Sequence, residues 1–331
     1  MKTLVLTGYG IALKTRKGMF QVIEKGKRVS EISPVELKTI VIGTKAISIS
    51  SAAIILASKY GIDLVFLEKW KPISRLVPAT YGSTLKTWIY QLIAIKNRRT
   101  IYAGKFAEGK IYNQRMILYW LYKKYTGTSI QSRIVRARIR EAIEWAGKAL
   151  QEIDEAQTIK EIRNLEAHTA KKYWKAVSKT IPKELGFKYR IKRYTLPKDE
   201  KKDPFNIALN IGYSVLLREV WRAVFMAGLN PYYGFLHVRR PGRMSLVLDL
   251  MEEFRPIVVD RPLIKMARKQ PKIIKKLEKE DREAIATVWK TITETLNKTP
   301  KPLKNIIQTQ ARKLAETFIN KTTYTPYKSK W

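Results

Sequence analysis

The chain has 331 residues, with 65 Lys and Arg against 28 Asp and Glu, and a formal net charge of +37. Hydrophobic residues make up 45%, which supplies a core for one large domain or two and excludes a wholly disordered chain. Cysteine is absent, which excludes disulfides, thiolate metal sites, zinc fingers and Cys nucleophiles.

No apolar run reaches the ~18 residues of a membrane helix. The longest, 205–217, is broken by Asn206, Asn210 and Ser214. The first residues lack the long apolar run and small-residue cleavage site of a signal peptide. These features predict a cytoplasmic protein without membrane contact. A surface this positive repels itself unless a polyanion lies against it, and nucleic acid is the default polyanion. A thermophile-like lysine-rich surface would carry matching glutamate, which this chain lacks.

Residues 1–75 read as β-rich. Short β-branched and aromatic runs occur at Leu4-Val5-Leu6, Phe20-Gln21-Val22-Ile23, Thr39-Ile40-Val41-Ile42 and Leu64-Val65-Phe66-Leu67, with glycines between them. One helix is predicted between the last two, capped by Ser50 or Ser51 and ended by Gly61. Residues 68–84 carry Pro72 and Pro78, show no clear period and read as a linker. From about 85 onward the period is helical. The predicted fold is therefore α+β. A small sandwich-like β domain (1–75) precedes a linker (76–84) and a larger all-α domain (85–331).

Helices are predicted over 85–96 and 110–125, with Asn97-Arg98-Arg99 following the first. A third, 132–149, lines up Arg133, Arg136 and Arg140 on one face, as a phosphate track or a solvated stripe. A fourth covers 158–179. Asp203-Pro204 then opens a largely apolar helix that runs toward Gly228. Residues 245–254 and 257–320 add further helices.

The sequence has two histidines. His237 follows the apolar helix and precedes a basic loop holding Arg239, Arg240 and Arg243. The helix 245–254 is apolar nearly all round, yet holds Asp249, Glu252 and Glu253. Buried carboxylates are costly unless paired or metal-bound. Asp249 and Glu252 share one edge; periodicity leaves open whether Glu252 or Glu253 faces His237. Glu166 lies on the apolar face of helix 158–179, where it serves either as a metal ligand or as half of a buried salt bridge. His168 points elsewhere. Glu, His and Asp without Cys suit a hard divalent ion, Mg2+ or Mn2+. Walker A, Rossmann and His-Glu-x-x-His patterns are absent.

Four stretches carry a resemblance to a known family. They are Asn164-Leu165-Glu166-Ala167 through Tyr173-Trp174; Asp203-Pro204-Phe205-Asn206 through Tyr213; Gly228-Leu229-Asn230-Pro231-Tyr232-Tyr233-Gly234-Phe235-Leu236-His237; and Ser245 through Asp249, Glu252-Glu253-Phe254-Arg255-Pro256. Fifteen positions separate His237 from Glu252. The chain resembles the CRISPR-associated adaptation integrase, the endonuclease of spacer acquisition, over essentially its whole length. The resemblance implies a metal site of Glu166, His237 and Glu252, with Asp249 as a supporting acid. Some members have Asp in place of Glu252. It also implies a homodimer through the β domains and a complex with the small second adaptation protein. DNA, double-stranded, single-stranded or branched, is the implied substrate, and Arg239, Arg240 and Arg243 would hold its phosphates. Loss of Glu166, His237 or Glu252 is expected to end activity, and loss of His168 or Glu253 to be mild. The rival reading is a non-catalytic, sequence-independent architectural DNA-binding protein, which would bind DNA equally in chelator.

Overall fold

The computed structural model describes residues 2–68, 71–77, 83–191 and 203–330. These fall into two compact units. One takes Met1–Ala94, Trp221–Pro231 and Ala311–Thr322; the other takes Ile95–Val220, Tyr232–Gln310 and Thr323–Trp331. The predicted α+β class holds, with a β-rich start followed by helices.

The N-terminal strands are β1 (Lys2–Leu6), β2 (Ile11–Arg16), β3 (Met19–Glu24), β4 (Lys27–Ile32), β5 (Leu37–Ile42), β6 (Ser48–Ile49), β7 (Asp63–Glu68) and β8 (Lys71–Leu76). They form two sheets, ordered β1-β5-β7-β8 and β4-β3-β2-β6. The pairs β1·β5 and β5·β7 are parallel, in register Ile40↔Leu64 and Val41↔Val65. A strand covered on both faces needs an unbroken apolar run, which β5 and β7 have. Their even-numbered residues Ile40, Ile42 and Leu64 join Leu13, Phe20 and Val22 of the other sheet in one buried cluster. Their odd-numbered residues Val41, Val65 and Leu67 pack on Phe225 and Met226.

Between β6 and β7 lies helix α1 (Ser51–Lys59). The Ser50 hydroxyl accepts from the Ala53 amide at 3.2 Å, and Gly61 takes φ +65° just past the end. The cap and the stop fall where the sequence placed them. β8 does not follow its reading, because it lies within the stretch taken for a linker. It pairs antiparallel with β7 at the sheet edge, where Pro72 is tolerated. Residues 78–82 of the linker reading lie outside the described residues.

The long helical stretch α2 (Ser83–Tyr122) is two helices joined across a kink at Arg98 (φ −136°, ψ 23°), so the break read at Asn97-Arg98-Arg99 holds. The start of the second helix is corrected: Tyr102, Ala103, Phe106 and Ala107 are buried at helical spacing, so it begins directly after the kink and not near 110. The remaining helices are α3 (Ile130–Glu152), α4 (Ile159–Ser178), α5 (Pro204–Met226), α6 (Ser245–Phe254), α7 (Arg261–Lys269), α8 (Pro271–Lys275), α9 (Arg282–Asn297) and α10 (Leu303–Asn320). Thr158 and Glu161 close a reciprocal capping box on α4. The Asp203 carboxylate caps α5 through the Asn206 amide at 2.8 Å. Between α6 and α7, Arg255–Asp260 widens into a π-helical turn. No helix among the described residues is long and apolar enough to cross a membrane.

Candidate metal centre and active site

The site is built on α6. Nine of its ten residues are buried, among them all three carboxylates, Asp249, Glu252 and Glu253. Each must therefore find partners. They find different ones, which settles what each can do.

Asp249 holds the histidine loop. Its carboxylate accepts from the amides of Phe235 (2.5 Å), Leu236 (3.0 Å) and His237 (2.9 Å), and from His237 Nδ1 (2.6 Å). Nδ1 donating to Asp249 fixes the orientation of the ring and turns Nε2 toward Glu252. That Nε2 lies 3.8 Å from Glu252 Oε1. The approach of Asp249 requires Gly234: a Cβ there would stand 2.6 Å from Asp249 Oδ2 and 2.7 Å from Ser245 Cβ. The carbonyls of the same loop are held from the other side. Arg99 Nε donates to Phe235 O at 3.0 Å, and Arg163 Nε to Leu236 O at 2.9 Å.

Glu252 faces His237, so the sequence ambiguity resolves in its favour. Its Oε1 accepts from Arg255 Nε at 2.9 Å, and its Oε2 lies 2.7 Å from Lys110 Nζ. Burial opposes its charge, but Arg255, Lys110 and His237 outweigh burial and hold the carboxyl below the usual carboxylate range. The same Lys110 ammonium also pairs with Glu166, from α4. The salt-bridge reading of Glu166 is thus realised in the structure, with a lysine that also touches Glu252. Glu166, Glu252, His237 and Asp249 form one continuous chain of polar contacts centred on that ammonium.

Glu253 turns the other way. It accepts from Tyr324 Oη (2.8 Å), the Tyr327 amide (2.7 Å) and Gln310 Nε2 (3.4 Å). Burial pushes its carboxyl up to about 8. It anchors the C-terminal segment rather than the site. Behind Glu252, Arg255 lies over the Tyr213 ring (4.7 Å), and the Tyr213 and Tyr173 hydroxyls donate to Asp260 at 2.6 and 3.1 Å. This buried layer fixes Arg255, and Arg255 fixes Glu252.

Among the described residues, no three His, Asp or Glu side chains are gathered closely enough to form a ready-made metal cluster. The donor chemistry nevertheless fits a hard divalent ion. Two carboxylates flank a single cation, the Lys110 ammonium, and beside them sits an imidazole whose far nitrogen is tied to a carboxylate.

The arginines named from the sequence lie in two places. Arg239 and Arg240 are exposed in the loop directly after His237; Arg239 lies over the Tyr233 ring at 4.9 Å, and the Arg243 amide closes a turn on Arg240 O at 3.0 Å. Arg133 and Arg140 are exposed on α3, while Arg136 is half-buried over the Tyr122 ring (4.4 Å) and Arg140 donates to the Tyr122 hydroxyl (2.9 Å). His168 is exposed beside Trp145, away from the chain of contacts. Lys110 and Arg163 do not stand out in the sequence, and Arg99 and Arg255 appear there with no role assigned. Only Arg255 carries a local signal, three positions after Glu252.

Solved structures share this architecture. A structure titled "Casposase bound to integration product" superposes with a TM-score of 0.76 at 24% identity, covering 98% of each chain. A CAS1 protein from Thermotoga maritima gives a TM-score of 0.72 at 18% identity, covering 96% of each. At these identities the likeness shows the fold, which is that of the casposase and Cas1 proteins. The family itself is established by sequence. Residues 4–294 match the model of "CRISPR associated protein Cas1". CRISPR-associated endonuclease Cas1 1 of Saccharolobus solfataricus is 39% identical, over 99% of this chain and 84% of that protein. The protein of the same name in Francisella tularensis subsp. novicida is 32% identical over the full length of both. The chain belongs to the Cas1 family.

Proposed function

We propose that the protein is a divalent-metal-dependent DNA endonuclease and integrase of CRISPR adaptation, which inserts short DNA fragments by phosphodiester transesterification and cleaves DNA, branched DNA included. The observation that carries this reading is the meeting of Glu166 and Glu252 on one cation position beside an imidazole oriented by Asp249. The names of the relatives agree with it. Glu166, Glu252 and His237 Nε2 would hold Mg2+ or Mn2+. A bound ion of this kind supplies charge for the developing phosphorane and acidity for the attacking oxygen. The chain's own residues do the rest. Asp249 holds the imidazole turned, with Nδ1 on the carboxylate and Nε2 toward Glu252. Arg255 keeps the Glu252 carboxylate ionised and in place. Arg239, Arg240 and Arg243 offer guanidinium forks to the phosphates of the scissile strand. The test is cleavage and strand transfer on a branched duplex with Mn2+ and with chelator: activity only with the ion supports the reading, and DNA binding with no change in DNA length under any ion overturns it.

Binding should be dominated by charge rather than by base sequence. Affinity for DNA is expected to fall by roughly 10^3-fold or more between 50 and 200 mM salt, as for a protein meeting six or more phosphates. A nearly flat plot of log affinity against log salt removes the idea.

The proposed assembly is a homodimer that joins the second adaptation protein; among structural neighbours, one is titled as a partial Cas6-RT-Cas1–Cas2 complex. The β-rich segment of about 75 residues supports the dimer, because a core of that size is marginal alone and gains from a partner surface. The DNA-free chain is expected to sediment as a dimer, and a monomer at micromolar concentration would count against it.

A further inference from the structure

We propose that Lys110 is a resident counter-ion of the catalytic centre: its ammonium holds the Glu166 and Glu252 carboxylates together in the metal-free protein, and a divalent ion binds by displacing it. This rests on the metal-site reading above and adds to it a residue and a competition.

Placement is the first support. Lys110 sits on α2, and its Nζ touches both Glu166 of α4 and Glu252 of α6. The side chain is only 13% exposed. It is therefore not a surface lysine that happens to lie near an acid. Its position in the core is made possible by the preceding residue: a Cβ on Gly109 would stand 2.8 Å from Glu253 Cγ, so the glycine lets α2 come close to α6 here.

Charge balance sets up the competition. Glu252 already has a second cation, Arg255, on its other oxygen. With Lys110 and Arg255 present, the Glu166 and Glu252 charges are balanced. A divalent ion added beside both cations would crowd positive charge into a buried place. Removing the ammonium relieves it. The geometry points the same way, since the ammonium and the ion would share the same carboxylate oxygens. Lysine suits the role better than arginine. Its charge is a point on a flexible four-carbon stem that can swing away, whereas a guanidinium fork would lock both carboxylates.

The test measures metal, not turnover. Mn2+ is titrated into the DNA-free full-length chain and followed by electron paramagnetic resonance, for wild type, Lys110→Met and Lys110→Gln. The variants are expected to bind Mn2+ about tenfold tighter or more, since one opposing charge has gone. Their metal-free melting temperatures should fall, because two carboxylates are left facing each other, and saturating Mn2+ should raise them by more than it raises wild type. Unchanged or weaker Mn2+ binding in a folded variant overturns the competition while leaving the metal site standing. No Mn2+ bound by any of the proteins removes both. Should neither variant fold, the wild type decides: Mn2+ should increase acetylation of Lys110 by acetic anhydride severalfold relative to the other lysines, read by mass spectrometry. Equal or reduced labelling with Mn2+ overturns the proposal.

Discussion

Alanine at His237 is expected to abolish Mn2+-dependent DNA cleavage and strand transfer, by on the order of 10^3-fold or more, as the loss of one of few protein ligands to a catalytic ion should. The fold should survive. His237 is half-buried in a loop, and the three amides that Asp249 binds are backbone groups that alanine keeps. Affinity for DNA should also survive, because it is spread over many of the 65 basic residues. A graded companion is Asp249→Asn, which can no longer accept from all four donors. It is expected to lose activity by roughly 10–100-fold, the usual cost of disturbing a group that orients a metal-bound histidine. Glu166→Ala should match His237→Ala in activity but differ in stability, since it also strands Lys110. Melting temperature and Mn2+-dependent cleavage on the wild type and these three variants separate ligand loss from unfolding. A folded His237→Ala protein with full activity would sink the site.

Glu253→Ala is expected to be the most damaging of the α6 substitutions to the fold itself, about 3 kcal/mol or more. It removes the acceptor for the buried Tyr324 hydroxyl, the Tyr327 amide and Gln310, and each unsatisfied buried donor costs about 1–3 kcal/mol. Glu253→Gln should cost less, because the carboxyl, held up at about 8, is mostly neutral at neutral pH and the amide is close to it in shape. Denaturant unfolding of both variants checks the order. An alanine variant as stable as wild type would mean that the C-terminal segment is anchored elsewhere.

Much of the fold can be read along the chain because burial on two faces leaves a local mark. β5 and β7 appear as unbroken apolar runs, and α1 announces its own start and stop. β2 (Ile11–Arg16), β4 (Lys27–Ile32) and β8 leave no such mark, for a related reason. β4 and β8 are sheet edges, where charge and proline are tolerated. β2 alternates Leu13 and Thr15 with Lys14 and Arg16, and six residues of mixed polarity look like a loop. The kink of α2 is legible because Asn97-Arg98-Arg99 interrupts the apolar spacing, whereas the small buried residues Ala103 and Ala107 hide the start of its second half. In the site, His237, Asp249 and Glu252 are legible because acids are scarce and these stand close together in sequence. Lys110 is illegible. It is one of 65 bases, and its importance comes from contacts with residues 56 and 142 positions away, which no local pattern records.

The widened turn at Arg255–Asp260 constrains how this region can change in length. Glu252 precedes it and faces His237; Asp260 closes it and receives the Tyr173 and Tyr213 hydroxyls. The π-turn holds one residue more than an ordinary helix uses for the same rotation, so deleting one residue between them would let α6 run into α7 as a plain helix with α7 nearly in phase. The change would fall inside the stretch itself, where Arg255 and Asp260 would shift against Glu252 and the two tyrosines. The spare residue of this turn is thus what spaces the Glu252 brace from the tyrosine layer, while the exposed turn at Arg240-Pro241-Gly242, a few residues earlier, lies outside any helix.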